Sequence, residues 1–333
     1  MLKPRGDCWV ITDGAAGNQR QALALAERLE MPVRHLQLEP GAPWSWLAPR
    51  VTLGARLALD ATQRQQFAAP WPAVAIGCGR SAALYTRLLR SLSRGACYTV
   101  QILDPRVNPE HWDTVIAPQH DQLTGRNVIR PLGSLNPVDD AWLQDGREAD
   151  PAFAALPRPR VGVLLGGPRK GVTFNESYID QLISGLHARR RHDGGSLLVM
   201  ASRRTPPELV ERMRQGLGDV PGLVWAGHDD GSNPYPGVLG WADRLVVTPD
   251  SVNMLSEACA VGCPVHTFVV GSLPDKLARF HDALRKAGLL HALDAMNTPP
   301  VPPLRVTDTI ATTLRDLIAL RQATAIGKLS SHT

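Results

Sequence analysis

The sequence predicts a two-domain α/β protein with mainly parallel sheets. Short apolar runs alternate with runs of helical period almost throughout, and consecutive strand–turn–helix units require crossover connections. The length, 333 residues, fits two ordinary domains better than one. A stretch rich in charge, Ala and Pro at 139–160 separates two such series and reads as the interdomain hinge, carrying one helix.

In the first series, residues 8–13 (CWVITD) form an apolar run ending in a polar residue. The turn Gly14-Ala15-Ala16-Gly17 follows. A helix is then predicted from Asn18 to about Met31, because Ala22, Leu25, Ala26 and Leu29 recur at helical spacing. Strands are predicted at 33–38, 73–77, 98–103, 114–117 and 128–132. The strand at 73–77 runs into Gly77-Cys78-Gly79-Arg80-Ser81 and a helix rich in Leu and Arg. The second series has strands at 160–167, 196–201, 223–226, 244–248 and 264–270. The proline-rich 298–303 reads as a tether, and 307–322 as a helix that packs back on the first domain. The tail 328–333 is expected to fray. The expected domains are 1–145, joined by the helix at 304–325, and 158–300. Trp44, Trp46 and the Leu-rich 47–59 are read as a buried helix between strands, its alternative being a sticky amphipathic one.

Composition excludes several classes. At 44% hydrophobic and 20% charged, the chain has ample apolar material for two cores and is not disordered. The net charge of +5 comes mostly from Arg, with Lys rare. Together with abundant Ala and Pro, that bias reads as a GC-rich, bacterial genome. A modest positive field also favours phosphates or an anionic membrane surface. No basic block supports nucleic-acid binding. The five cysteines are odd in number and contain no Cys-x-x-Cys pair, so they read as reduced thiols with no metal site. The N-terminus lacks a signal-peptide core and no run reaches membrane-spanning length. A cytoplasmic location is therefore expected, with peripheral contact at the inner membrane left open.

Ligands of open parallel sheets sit beyond the carboxyl ends of strands, so the residues after each strand are the candidates. The richest segment is 248–265. There Asp250 or Ser251 is a natural N-cap, Met254, Leu255, Ala258 and Val261 give the helix its buried face, and Gly262 stops it. Free amides at the helix start (Val252, Asn253), with the Ser251 hydroxyl, suit a nucleotide diphosphate. Asn253 and Glu257 share one polar face, and the Glu257 carboxylate suits ribose hydroxyls. Gly166 and Gly167 permit close backbone approach to a phosphate. Ser202, Arg203 and Arg204 end the next strand, where an Arg clamps a diphosphate by paired hydrogen bonds. Asn233 and Tyr235 lie on a rigid turn whose ring would flank a base or sugar. Each is individually more ordinary as a cap or turn. Their occurrence at successive strand ends of one half is the argument.

The first half offers Gly14, Gly17, Asn18 and Gln19 after one strand, Gly79 and Arg80 after another, and Asp104 after a third. It contains no Gly-x-Gly-x-x-Gly fingerprint, P-loop, Gly-x-Ser-x-Gly elbow or His-Glu-x-x-His. Asp13, Asp104 and His120 are candidates for a general base.

Residues 9–13 with Gly17-Asn18-Gln19, and 101–106, 118–121, 202–206, 233–235 and 250–258, resemble the mitochondrial-fission (elongated-mitochondria) protein family. The resemblance runs in order over nearly the whole chain, about 8–290. That family is related to glycosyltransferases of the GT-B architecture. The resemblance therefore implies two Rossmann-like domains facing a cleft. The donor nucleotide would bind the C-terminal domain, the acceptor the N-terminal one. It would bring Ser251, Val252 and Asn253 to the diphosphate and Glu257 to the ribose. Certain inverting relatives carry a His in the first glycine loop, where this chain reads Asp-Gly-Ala-Ala-Gly-Asn-Gln.

The expectation is a glycosyltransferase taking a nucleotide-diphosphate sugar as substrate, with an unknown acceptor, no separate cofactor, and Asp13 or His120 as base. Two alternatives stay open: a sugar-nucleotide epimerase or hydrolase of the same fold, and a non-catalytic membrane-associated scaffold related to fission adaptors.

Overall fold

A computed structural model describes residues 4–296 and 298–330, with the side chains of 325–330 left aside. The chain divides into two compact units. One contains the described residues up to Pro137 and those from Val306 onward. The other is Val138–Arg305.

The first unit holds six parallel strands: β1 (Cys8–Thr12), β2 (Val33–Gln37), β3 (Val74–Cys78), β4 (Tyr98–Ile102), β5 (Thr114–Ile116) and β6 (Val128–Ile129). Their order is β2-β1-β3-β4-β5-β6. The five residues of β1 are all buried, as expected for a strand covered on both faces. Cys8 and Val10 pack on one side with Ala22 and Leu25 of α1 (Ala16–Glu27) and with Leu29 just beyond it. Trp9 and Ile11 pack on the other with Leu36, Phe67 and Tyr85. This alternation is the period-2 geometry of a strand read through two cores.

Between β2 and β3 the expected continuous helix is absent. Residues 44–59 instead form one turn, α2 (Trp44–Leu47), and a 3-10 turn at Ala55–Ala58, before α3 (Ala61–Gln66). Pro49 has no N–H to continue the ladder, and Gly54 adopts a left-handed φ of 72°. α4 (Arg80–Leu92) follows β3.

The second unit begins with α5 (Asp140–Ala149) and a 3-10 turn at Pro151–Ala155, the segment read from sequence as a hinge. Its strands are β7 (Arg160–Leu165), β8 (Ser196–Ala201), β9 (Gly222–Trp225), β10 (Arg244–Val247), β11 (Val265–Thr267) and β12 (His291–Ala292), and β12 has no counterpart in the sequence reading. They are parallel, in the order β12-β11-β10-β7-β8-β9. Val161, Val163 and Leu165 meet α6 (Glu176–Asp193) and α7 (Pro207–Leu217) through Tyr178, Ile179, Leu182, Leu209 and Met213. Gly162 faces Val238 of α8 (Tyr235–Trp241) on the opposite side. α5 packs on α8, Gly146 against Pro236 and Gly240 against Leu143. α9 (Val252–Cys259) and α10 (Asp275–Lys286) complete the unit.

The last helix, α11 (Val306–Ser330), returns to the first unit. Ile310, Leu314 and Ile318 recur every fourth residue and enter the α1 core. Arg28–Asp308 and Arg315–Glu30 ion pairs, both at 2.7 Å, tie it to the end of α1. Of the tail expected to fray, 328–330 are helical and 331–333 lie outside the described residues. Among the described residues no helix is long and apolar enough to cross a membrane. The five cysteines are free thiols, and burial pushes those of Cys8, Cys259 and Cys263 up to about 12.

Leu314→Ala should destabilise the protein by about 2–5 kcal/mol, while Leu317→Ala on the exposed face should cost under about 0.5 kcal/mol. Denaturant midpoints of the two variants check this. Equal shifts would contradict the seating of α11.

Candidate functional site

Each sheet has one point where the chain order reverses. In the first it lies between β1 and β3, in the second between β7 and β10. At such a switch point the loops leave in opposite directions and open a crevice beyond the strand ends.

At the second switch point the centre is Asp250, whose side chain is fully buried. Its Oδ1 accepts the Thr248 hydroxyl at 2.7 Å. Its Oδ2 accepts the Gly167 N–H at 3.1 Å and Arg204 Nη2 at 2.8 Å. Thr248 Oγ1 in turn accepts the Gly166 N–H at 2.8 Å. The Gly166 carbonyl accepts the hydroxyls of Ser202 (2.9 Å) and Thr205 (2.5 Å). Three adjacent strand ends, those of β8, β7 and β10, are thereby fastened together.

A buried carboxylate is tolerated only when paired and hydrogen-bonded, and here every bond is to a group from a strand end. The glycines are required by this packing. A Cβ on Gly166 would stand 2.2 Å from both Asp250 carboxylate oxygens, and one on Gly167 2.4 Å from the Arg204 carbonyl.

The consequence is a mouth of fixed cations. Arg204 keeps half its side chain in solvent, and Arg203 beside it is exposed. Arg169 donates through Nη1 to the Asp250 carbonyl at 2.6 Å, and Lys170 next to it is exposed. Ser251 is the N-cap of α9, its Oγ accepting the Met254 N–H at 3.3 Å. Val252 and Asn253 form the half-buried first turn. Arg169, Lys170, Thr205 and Thr248 were missed in the sequence. The signal for Arg169 was available, since Gly166-Gly167-Pro168-Arg169 puts a cation just past a strand end, as in Ser202-Arg203-Arg204.

Two further candidates meet each other. The Tyr235 hydroxyl donates to Glu257 Oε2 at 2.5 Å, and both residues are buried. In this state Glu257 fastens α8 to α9. Asn233 is exposed and accepts the Tyr235 N–H at 3.1 Å, a turn role at the start of α8.

At the first switch point Asp13, Asn18 and Gly79 come together. Asn18 Nδ2 donates to both Asp13 oxygens, at 3.1 and 3.2 Å. A Cβ on Gly79 would stand 2.4 Å from that Nδ2. Gly14 holds the turn at φ 76°, while Gly17 and Gln19 lie in the first turns of α1. The others go elsewhere. Arg80 donates to the carbonyls of Ser45, Trp46 and Ala48. Asp104 accepts the Arg106 N–H at 2.7 Å in a tight turn. His120 is buried, 3.7 Å from Asp121, at the end of β5. Two strands separate β1 from β5, so Asp13 and His120 are on the order of 14 Å apart and cannot serve one hydroxyl together.

Behind the second mouth, His281 is wholly buried and its Nε2 meets the Pro249 carbonyl at 2.9 Å. Burial lowers it to about 4, the carbonyl contact opposing only partly. His266 in β11 is also lowered to about 4, first by burial and then by Arg189 and Arg244. Both rings are neutral in the fold, so the His281 Nε2–H donates. In the unfolded chain they protonate near 6.5. Their contribution to stability is therefore complete above about pH 6.5 and lost as pH falls toward 4. Unfolding followed at about pH 8 and about pH 5 should show a loss of about 2 kcal/mol per histidine. His281→Gln should flatten that dependence, and an unchanged slope would contradict it.

A profile of the family described as Mitochondrial fission ELM1 matches residues 16–318. The Mitochondrial fission protein ELM1 of Arabidopsis thaliana is 31% identical over 287 residues, covering 78% of this chain and 66% of that protein. This chain thus spans just under two thirds of the plant relative's length. Among solved structures, the UDP-GlcNAc 2-epimerase from Methanocaldococcus jannaschii is similar at TM-score 0.55 and 12% identity, over 92% of this chain and 99% of that one. The glycotransferase of kitacinnamycin is similar at TM-score 0.50 and 14% identity, over 99% and 96%. These likenesses are ones of fold, of the GT-B-like class.

Proposed function

The chain belongs to the mitochondrial fission ELM1 family, and from that premise we propose that it binds a nucleotide-diphosphate sugar at the second sheet and transfers the sugar to an acceptor. The observation carrying this reading is the cationic mouth at the β7–β10 switch point. Arg204 and Arg169 flank the start of α9, both held by Asp250. Guanidinium forks and helix-start amides are complementary to phosphate oxygens. They act most strongly on the charge that grows on a departing diphosphate, so they favour the transition state over the bound donor.

Glu257 lies five residues beyond Val252 in α9, about 8 Å along the helix. That spacing suits a ribose attached to a diphosphate at the helix start. In this reading the ribose hydroxyls meet Glu257 in place of, or beside, the Tyr235 hydroxyl. Asp13 is the base for the acceptor. It is partly exposed at its own switch point, whereas His120 is buried. Asn18 orients the Asp13 carboxylate through both oxygens, and Gly79 lets the chain pass close to both side chains, with Gly14, Gly17 and Gln19 in the same loop and helix start. The likeness in fold to a UDP-GlcNAc 2-epimerase makes UDP the first nucleotide to test.

Calorimetric titration with UDP, GDP, TDP and ADP should show binding by at least one, and binding by none would end this reading. Arg204→Lys keeps a cation beside Asp250 but loses the fork, and should weaken the bound nucleotide about tenfold or more. Glu257→Ala should weaken the nucleoside diphosphate and leave inorganic diphosphate unaffected. Equal weakening of both would make Glu257 a packing residue only.

A further inference from the structure

The segment between β2 and α3 is the most apolar surface of the first unit. Ten large hydrophobic residues are exposed among the described residues, and five fall in this one stretch: Trp46, Leu47, Val51, Leu53 and Leu57. Trp46 is 74% exposed, Leu53 87% and Leu57 69%. Hydrophobic residues scattered singly over a surface need no explanation, but a concentration of this kind does.

The backbone beneath these side chains is unusual for a surface loop. Every carbonyl of residues 43–50 and 52–59 accepts a hydrogen bond from within the protein. Arg80 serves Ser45, Trp46 and Ala48, and Arg87 serves Pro49 and Arg50. Trp44 Nε1 serves Leu53, Tyr85 serves Ala55, and Arg64 serves Leu57 and Leu59. Local backbone N–H groups serve the rest. A loop facing water has no need of this, because water satisfies carbonyls. A loop facing hydrocarbon does, because nothing there can donate.

The buried side of the same segment is anchored. Ala48, Ala55 and Leu59 sit in the core with Trp9, Phe67 and Tyr85, and Trp44 packs against it. The outward side chains are therefore displayed on a fixed support. Charge selects the occupant. Residues 40–59 contain Arg50 and Arg56 and no Asp or Glu, and Arg50 is exposed beside the apolar tips. A tryptophan, several leucines and an arginine, over carbonyls of which all but Val51's are met from within the protein, match the headgroup boundary of an anionic bilayer, where the N–H groups of the tip can still reach lipid phosphate and ester oxygens.

We propose that the loop at 44–57 docks the first unit onto an anionic membrane surface by inserting Trp46, Leu53 and Leu57 among the lipids, with Arg50 at the phosphates. This site is remote in chain and in chemistry from the nucleotide mouth and does not rest on the proposed function. It also gives Arg80 a different task from the acceptor-side one suggested by its place after Gly79, namely holding the loop.

The test is co-sedimentation of the full chain with vesicles. Vesicles of equal parts phosphatidylglycerol and phosphatidylcholine should carry the protein down, and pure phosphatidylcholine should do so far less. Leu53→Ser and Leu57→Ser remove only exposed side chains and should leave the thermal unfolding midpoint unchanged. Each should lower the partition coefficient about tenfold. Failure to sediment with the anionic vesicles would overturn the proposal, as would sedimentation that the double variant leaves unaltered. So would lipid-free dimerisation of the wild-type chain abolished by the same substitutions, which would make the loop an interface between copies.

Discussion

The arrangement of the second unit depends on one buried carboxylate. Asp250 has no contact with water, yet it joins the ends of three strands and sets the position of two arginines. Its desolvation is tolerated because its acceptor sites are taken by Thr248, Gly167 and Arg204. Gly166 lets its carboxylate approach, and Gly167 lets the Arg204 backbone approach beside it. The carboxylate bonds that stabilise the strand ends also hold Arg204 half in solvent, while the Asp250 main-chain carbonyl holds Arg169. Folding and the cationic mouth are thus tied together at one residue. Preorganisation of this kind spares the site the reorganisation that flexible cations would need when charge develops.

The first unit repeats the plan with a different outcome. Its switch point holds a carboxylate too, but Asp13 is partly exposed and oriented by a single side-chain amide from Asn18. A buried, fully engaged acid fits a scaffold. A reachable acid oriented by the Asn18 amide and the Ala15 N–H fits proton transfer. Each sheet thus carries an acid at its own switch point, one built into the strand ends and one left reachable.

The strands of both sheets were legible because buried parallel strands are unbroken apolar runs. 196–201 was read to the residue as β8, and β1 within one residue. β12, two residues long, carries too little pattern to see. The helix expected through 44–59 was misread because its leucines do recur, but Pro49 and Gly54 interrupt the ladder and Leu47, Leu53 and Leu57 point outward, leaving Leu59 in the core. In the candidate site, Asp250, Ser251, Arg204 and the glycine pair were visible as strand-end residues. The bonds joining Asp250 to Gly167 and Arg204 were not, because they connect positions 83 and 46 residues apart. The Tyr235–Glu257 contact was hidden for the same reason, so an acid read as open to a ribose is in fact already engaged.

The central claim is that the Asp250-held mouth is where a nucleoside diphosphate sits. A crystal structure with UDP bound tests this most directly. The account predicts the terminal phosphate within hydrogen-bond distance of the first amides of α9 and of the Arg204 guanidinium, with Asp250 unmoved. A diphosphate resolved away from α9, with Arg204 still turned wholly to Asp250, would contradict it.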